Sequence, residues 1–327
     1  MDFAARRLAP KRAELTALLD QIAPGGCVVK RRRLPGGLGC RMDVLDIRRA
    51  DGSRGKVTLR RFVREGHRFS TPGHVAHEFE ILRLVERAAV PAPRPILLDS
   101  EGHYFGVPAI VMSYLPGRPL FPTTNLGNWT RGLADVLRQL HNVRPERFDL
   151  SWLHVQLRDG MRARIEQWRT EPLVDPLAVD MLSVLDSELH QIDFSGPTIV
   201  HDDFWSGNTV ASRGRITGII DWTTAEVGDP RTDVSQCRID MVLSHGPEVA
   251  DRFRDDYERL AGKRLEHLWY FDLYRGYHAW PQYEHWLEGY HDIGLVHLRP
   301  TEVGERLRAF LHRAVGEART SQSTGSG

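Results

Sequence analysis

Residues 197–234 read PTIVHDDFWSGNTVASRGRITGIIDWTTAEVGDPRTDV, and they hold three groups with the types and spacing that phosphoryl transfer requires. His201-x-Asp203 is followed by Asn208, five residues after Asp203. The apolar Ile219-Ile220 ends in Asp221, 13 residues after Asn208. Gly228-Asp229-Pro230 comes next, with Asp233 three residues beyond. The chemistry needs a carboxylate to orient an acceptor hydroxyl and take its proton. It also needs an amide oxygen and a second carboxylate to hold Mg²⁺ against the phosphates. Metal-bound oxygens then neutralise the charge that spreads over the transferring group.

The elements around this segment must supply a rigid base for it. Leu15, Leu18, Leu19 and Ile22 recur at helical spacing, so the chain opens with an amphipathic helix. Strand-like runs at 42–47 and 57–62 flank Asp51-Gly52, which predicts a hairpin. Val75, Phe79, Leu82 and Val85 predict a helix over 74–88. Pro91, Pro93 and Pro95 force an extended segment before strands at 96–99 and 107–114. After Leu115-Pro116-Gly117 the pattern becomes helical, with strong stripes at Trp129–Leu140 and Leu182–Ile192. Short strands are expected at 197–201, 208–211 and 216–221, and helices over most of 230–315. The Ser/Gly/Thr-rich end, 320–327, has nothing to bury and is expected to be disordered.

The composition excludes several classes. The 327 residues carry 44 Lys and Arg against 43 Asp and Glu, a formal net charge of +1, so bulk charge does not suit a nucleic-acid partner. Hydrophobic residues make up 41% and charged residues 27%, as in ordinary globular chains. Cys27, Cys40 and Cys237 lie far apart and form no C-x-x-C pair, so neither a disulfide framework nor a zinc ribbon is signalled. No run approaches the ~20 apolar residues of a membrane span, and the first 20 residues do not read as a signal peptide. A cytoplasmic location with no membrane partner is the expectation.

On the 201–233 constellation the chain resembles the aminoglycoside phosphotransferase family, which shares the protein-kinase-like fold. That family shows H-G-D-x-x-x-x-N, an apolar strand ending in Asp-Trp or Asp-Phe, and G-D-P. The resemblance spans about residues 25–310. It implies an α+β, bilobal fold, with a small β-rich lobe over 1–113 that binds nucleotide and a larger helical lobe over 114–319 for catalysis and the acceptor. It implies ATP or GTP as donor, Mg²⁺ as cofactor and a hydroxyl of a small molecule as acceptor. Asp203 then corresponds to the catalytic base, and Asn208 and Asp221 to the Mg²⁺ ligands. His201, Asp229 and Asp233 correspond to loop-bracing residues. Leu34-Pro35-Gly36-Gly37-Leu38-Gly39 resembles a phosphate-covering loop, with Gly36 and Gly37 letting backbone N–H groups approach oxyanions. Arg60 stands where the strand usually ends in a phosphate-contacting Lys, and Glu78 matches its ion-pair partner. Met112-Ser113-Tyr114-Leu115 resembles the adenine hinge, through Ser113 and Leu115.

Two residues depart from the family pattern. Arg60 replaces Lys, but it keeps the charge and can offer two N–H groups to phosphate. Asp202 replaces the Gly of H-G-D, and a second carboxylate there would raise the pKa of Asp203 by repulsion. These departures keep open a nucleotide-binding protein without turnover. Lys30-Arg31-Arg32-Arg33 reads as a solvated strand face in so neutral a chain. Aromatics are dense between Trp269 and Tyr290. Trp269, Leu273, Tyr277 and Trp280 fall on one core stripe, and the rest could line an acceptor pocket. Glu266, Asp272, Trp280, Glu284 and Trp286 are the candidate acceptor residues, with Arg275 as the one opposing charge. Aromatic faces with carboxylates suit a cationic or amphipathic acceptor. An aminoglycoside, an amino-alcohol, a macrolide-like hydroxyl and a sugar or hydroxy acid all remain open.

Overall fold

A computed structural model describes residues 9–34, 40–64, 68–122, 124–171, 174–194 and 196–324. The chain packs as two units. One comprises 1–117 with 217–224, the other 118–216 with 225–327. The expected boundary at Tyr114 thus falls three residues before the end of the first stretch. The expectation did not foresee that the strand end carrying Asp221 packs with the first unit.

The first unit opens with α1 (Arg12–Ile22) and continues through β1 (Cys27–Leu34), β2 (Arg41–Arg48), β3 (Arg54–Arg61), α2 (Pro72–Arg87), β4 (Pro95–Asp99) and β5 (Ala109–Ser113). The strands form one antiparallel sheet in the order β1-β2-β3-β5-β4. The β2–β3 hairpin turns at Asp51-Gly52. The Asp51 carboxylate accepts from the Ser53 N–H at 2.8 Å, and Gly52 takes φ +83°, which a side chain would resist. Leu15, Leu18 and Leu19 of α1 pack on Leu45, Ile47, Val57, Leu59 and Val111 of the sheet. Thr71 caps α2, whose Val75, Ile81, Leu82 and Val85 are buried. Lys30–Arg33 lie on edge strand β1, exposed throughout. Charge there blocks strand pairing with another chain. Gly36 and Gly37 lie outside the described residues.

The second unit runs through α3 (Leu126–His141), β6 (Val155–Gln156), α4 (Arg158–Arg169), α5 (Pro176–Glu188), β7 (Thr198–Val200), β8 (Thr209–Ser212) and β9 (Arg215–Ile219), whose last residues enter the first unit. It resumes with β10 (Glu226–Gly228), α6 (Pro230–Ser244), α7 (Pro247–Ala261), α8 (Leu268–Ala279), α9 (Tyr283–Asp292) and α10 (Pro300–Thr324). β10 lies between β6 and β7, parallel to the first and antiparallel to the second. α6 is buried along nearly its whole length and packs on α7, α8 and α10. A helix covered on every side needs no amphipathic stripe.

Two expectations change. α10 continues through Thr324, so 320–324 are helical rather than disordered. The Thr320 and Ser321 hydroxyls donate to the carbonyls of Gly316 and Glu317, four residues back, and extending an existing helix avoids the unfavourable nucleation step. The aromatic stretch of α8 has no face left for a pocket, because every residue from Leu268 to Tyr277 is buried. Trp168 packs on Tyr274 and Tyr277 at 5.0 and 4.6 Å between ring centres, and the Tyr270 hydroxyl donates to the Leu185 carbonyl.

Leu59 sits fully buried in the central strand of the five-stranded sheet. Leu59→Ala is expected to destabilise the protein by about 2–5 kcal/mol, read as a lowered urea midpoint. An unchanged midpoint would contradict this packing.

Candidate active site

The first unit gathers Arg60, Glu78 and Asp221. Arg60 leaves β3 near its end, and Glu78 projects from the middle of α2. Arg60 Nη1 donates to Glu78 Oε1 at 2.6 Å, and Nη2 to Asp221 Oδ1 at 2.8 Å. Arg60 and Glu78 are both buried. Asp221 follows β9 with φ +65°, and Thr223 donates its hydroxyl to the same carboxylate at 3.3 Å. Burial works against the charge on Arg60, but the Asp221 and Glu78 carboxylates outweigh it and hold its pKa well above the ordinary value. Cys40, buried beside Arg60, has its thiol pushed up by desolvation, so it stays protonated.

The hinge segment is also in this unit. Ser113 ends β5, and its N–H donates to the Arg94 carbonyl while its hydroxyl accepts from the Arg94 N–H, each at 2.8 Å. Leu115 packs against Gly218, where an added Cβ would lie 2.7 Å from the Leu115 side chain.

The second unit holds His201, Asp203, Asn208, Asp229 and Asp233. The Asn208 amide nitrogen donates to both the backbone carbonyl and the carboxylate of Asp203, at 2.9 and 2.8 Å. A one-turn 3₁₀ segment, Ser206–Asn208, sets the spacing that makes this possible. Gly207 makes room for the Trp205 ring, since a Cβ would lie 2.2 Å from it. Asp233, in the first turn of α6, accepts the His201 and Asp202 N–H groups on its two oxygens, both at 2.8 Å. His141 Nε2 also lies 3.1 Å from Asp233. Burial alone would push Asp233 up, but its bond and charge interaction with His141, together with the nearby His201, hold it below the usual carboxylate value. Asp229 caps α6 by accepting from the Arg231 N–H and pairs with the Arg231 side chain. His201 is fully buried and packs edge-on to Phe204.

Sequence reasoning missed several neighbours of this loop. Asp240 lies seven residues beyond Asp233 on α6 and accepts from the Tyr290 hydroxyl and the Ser206 N–H. That spacing, two helical turns on a single face, is the signal that could have found it. Phe121, Trp205 and Tyr290 form an aromatic corner at 5.5–6.5 Å between ring centres. Arg275 of α8 pairs with Asp202. The repulsion expected of Asp202 is therefore met by a cation.

The candidate acceptor residues all lie in the second unit. Asp272 is buried and held by Arg238 through Nε and Nη2, so it belongs to the helical core and is withdrawn from an acceptor role. The Trp280 indole donates to Asp175, under the Arg308 guanidinium and stacked on Tyr283. Trp286 packs near His278, while Glu266 and Glu284 are exposed.

Residues 45–277 match the phosphotransferase enzyme family. The chain belongs to that family. Its fold is the α+β, bilobal kinase-like one of solved phosphotransferases. A Ralstonia eutropha JMP134 protein assigned to the aminoglycoside phosphotransferases superposes with a TM-score of 0.67 at 14% identity, covering 95% of this chain and 98% of that one. A macrolide 2'-phosphotransferase from Brachybacterium faecium gives 0.60 at 21% identity, covering 91% and 98%. A thermostable aminoglycoside phosphotransferase variant, solved with ADP and hygromycin B, gives 0.59 at 20% identity, covering 92% and 97%. Among curated proteins, acyl-CoA dehydrogenase family member 10 of Mus musculus is 24% identical over 216 residues, or 61% of this chain and 20% of that protein. The Arabidopsis thaliana protein named as the probable acyl-CoA dehydrogenase IBR3 is 26% identical over 183 residues, or 49% of this chain and 22% of that protein. The matches thus span about a fifth of the length of those relatives. No helix among the described residues is long and apolar enough to cross a membrane.

Burial pushes Asp240 up to about 7, only partly offset by the Tyr290 hydroxyl and Ser206 N–H bonds. The folded chain therefore holds this proton to higher pH than the unfolded chain, whose value is near 3.8. Its contribution favours folding at low pH and is lost as the pH rises to about 7. Asp240→Asn cannot ionise. The melting temperature of wild type minus that of Asp240→Asn should fall as the pH is raised from about 4 to about 7. A difference that stays constant over this interval would refute the assignment.

Proposed function

We propose that this chain transfers the γ-phosphate of ATP or GTP to a hydroxyl of a small molecule. The observation that carries the proposal is the Asp203–Asn208 pairing on a loop tied to Asp233 by two backbone bonds. A carboxylate held in this way can orient a hydroxyl and accept its proton without first being ordered. Arg60, braced by Glu78, steadies the phosphates. Asn208 and Asp221 would hold Mg²⁺, since their amide and carboxylate oxygens are the hard donors that this ion takes. When bound, the ion supplies charge neutralisation at the phosphates. His201, Asp229 and Asp233 keep the loop in place, and Gly36, Gly37, Ser113 and Leu115 belong to the nucleotide side.

The acceptor is a hydroxyl compound such as an aminoglycoside or related antibiotic, or a metabolite of the amino-alcohol, sugar or hydroxy-acid classes. Support for a small acceptor comes from the fold shared with an enzyme solved with hygromycin B and ADP. The lengths matched in the acyl-CoA dehydrogenase relatives give no reason to extend their named chemistry to this chain.

The test is labelled-phosphate transfer from Mg²⁺-ATP and Mg²⁺-GTP to a panel of these acceptors. Asp203→Asn should lower turnover by at least about 10³-fold while nucleotide affinity, read by calorimetry, stays within about threefold of wild type. Full activity in Asp203→Asn would remove Asp203 from the role. Nucleotide binding with no product from any acceptor would favour a nucleotide-binding protein without turnover.

A further inference from the structure

Asp202 has φ +64°, a left-handed conformation that suits glycine. L-residues are disfavoured there, aspartate and asparagine less than others. It also sits directly before Asp203, so any relaxation of this residue turns the next one. Two contacts hold it. Its N–H donates to Asp233 Oδ1 at 2.8 Å, and its carboxylate pairs with Arg275 Nη2. The first contact belongs to the backbone and would serve any residue. The second exists only because position 202 carries an acid.

Arg275 is buried, and the acid that it pairs with is not alone. Glu226 on β10 and Asp233 on α6 are buried in the same neighbourhood, and both feel the charges of Asp202 and Arg275. Burial, with the charge of Asp202, pushes Glu226 up to about 9, so it stays protonated, with His154 Nδ1 2.8 Å away, and Asp233 has His141 beside it. The acid that depends on the guanidinium is therefore Asp202. Removing the guanidinium leaves the Asp202 carboxylate without its cation, near Asp233, on a residue with left-handed backbone. The cheapest relief is for Asp202 to swing toward water, since its side chain is 27% exposed while that of Arg275 is 10% exposed. Such a swing would carry the Asp203 backbone with it.

We propose that Arg275 is a positioning residue for Asp203, acting through its ion pair with Asp202 to hold the strained residue in place. This rests on the phosphotransfer reading above, so its test has one arm that needs no turnover.

Arg275→Met should lower kcat by about 10- to 100-fold, as a small misplacement of a reacting group does, with the KM for nucleotide within about twofold of wild type. Arg275→Lys should recover part of the loss. Arg275→Met with Asp202→Gly should recover most of it, because glycine accepts the conformation and removes the unpaired charge. Hydrogen exchange across 201–208 reads the same coupling directly. Exchange there should quicken in Arg275→Met and return toward wild type in the double variant. If Arg275→Met does not fold, Arg275→Lys and the double variant carry both readouts. Wild-type kcat and exchange in Arg275→Met would overturn the proposal, as would a double variant no better than the single one. Exchange that behaves as stated in a protein with no detectable turnover would uphold the coupling and count against the phosphotransfer reading alone.

Discussion

The Asp233 carboxylate carries two consecutive backbone N–H groups, those of His201 and Asp202, on its two oxygens. This fixes two peptide planes at once, and so fixes the direction in which the chain enters Asp203. A side chain gripping another side chain would leave the backbone free to turn. Asp233 is itself buried, in the first turn of a helix packed on α7, α8 and α10, with Asp229 capping that turn. The precision of the loop is therefore inherited from the packing of α6. Asp240, two turns further along, repeats the device by accepting the Ser206 N–H at the far end of the loop. One helix holds both ends of the segment that carries Asp203 and Asn208.

Several charges of the second unit are paired in its interior. A net charge of +1 over 327 residues could describe separate basic and acidic faces, such as Lys30–Arg33 against the acids of 266–292. Lys30–Arg33 are exposed, as are Glu266, Glu284, Glu288 and Asp292, but Asp272 is buried, and so are three arginines with acidic partners. Arg231 is matched by Asp229, Arg238 by Asp272 and Asp251, and Arg275 by Asp202, with all of these arginines buried. Buried arginine with a bidentate or shared carboxylate partner keeps its charge where lysine would tend to lose it. Asp272, which in the sequence adds to an acidic run, is neutralised by a residue 34 positions away. Charge counted along a sequence therefore misstates charge at a surface.

The same distinction explains what could be read before the structure. Spacing was legible wherever one residue constrains its neighbours. The Asp51-Gly52 turn, the Trp129–Leu140 stripe and the short strands near 198, 209 and 215 all appear close to the expected places. The five-residue step from Asp203 to Asn208 brings them into hydrogen-bond contact because the intervening turn is local. What was not legible depends on distant partners. β6 and β10 span only Val155–Gln156 and Glu226–Gly228, too short for any period. Residues 217–224 leave the helical unit for the sheet unit, which no local pattern records. The aromatics of α8 look like a pocket in sequence and are core in space, since only the neighbouring helices decide which face is covered. Asp202 looked like an unmatched second acid because Arg275 lies 73 positions on.

Arg60 shows why a departure at a single position can come with its own geometry. Its two terminal nitrogens reach two carboxylates on different segments, Glu78 at 2.6 Å and Asp221 at 2.8 Å. A lysine has one nitrogen and would have to bring both acids to the same point, at a larger repulsive cost between them. The two halves of the fork are not equivalent. The Glu78 side chain is 2% exposed and that of Asp221 is 38% exposed. Nη1 is therefore anchored in the interior, and Nη2 holds the partner that solvent, or an anion arriving from it, can reach. An arginine can change the outer partner while keeping the inner one, whereas a lysine would loosen both together. The fork at Arg60 thus ties the interior of α2 to the solvent-facing Asp221 through a single guanidinium that keeps its charge in a buried site.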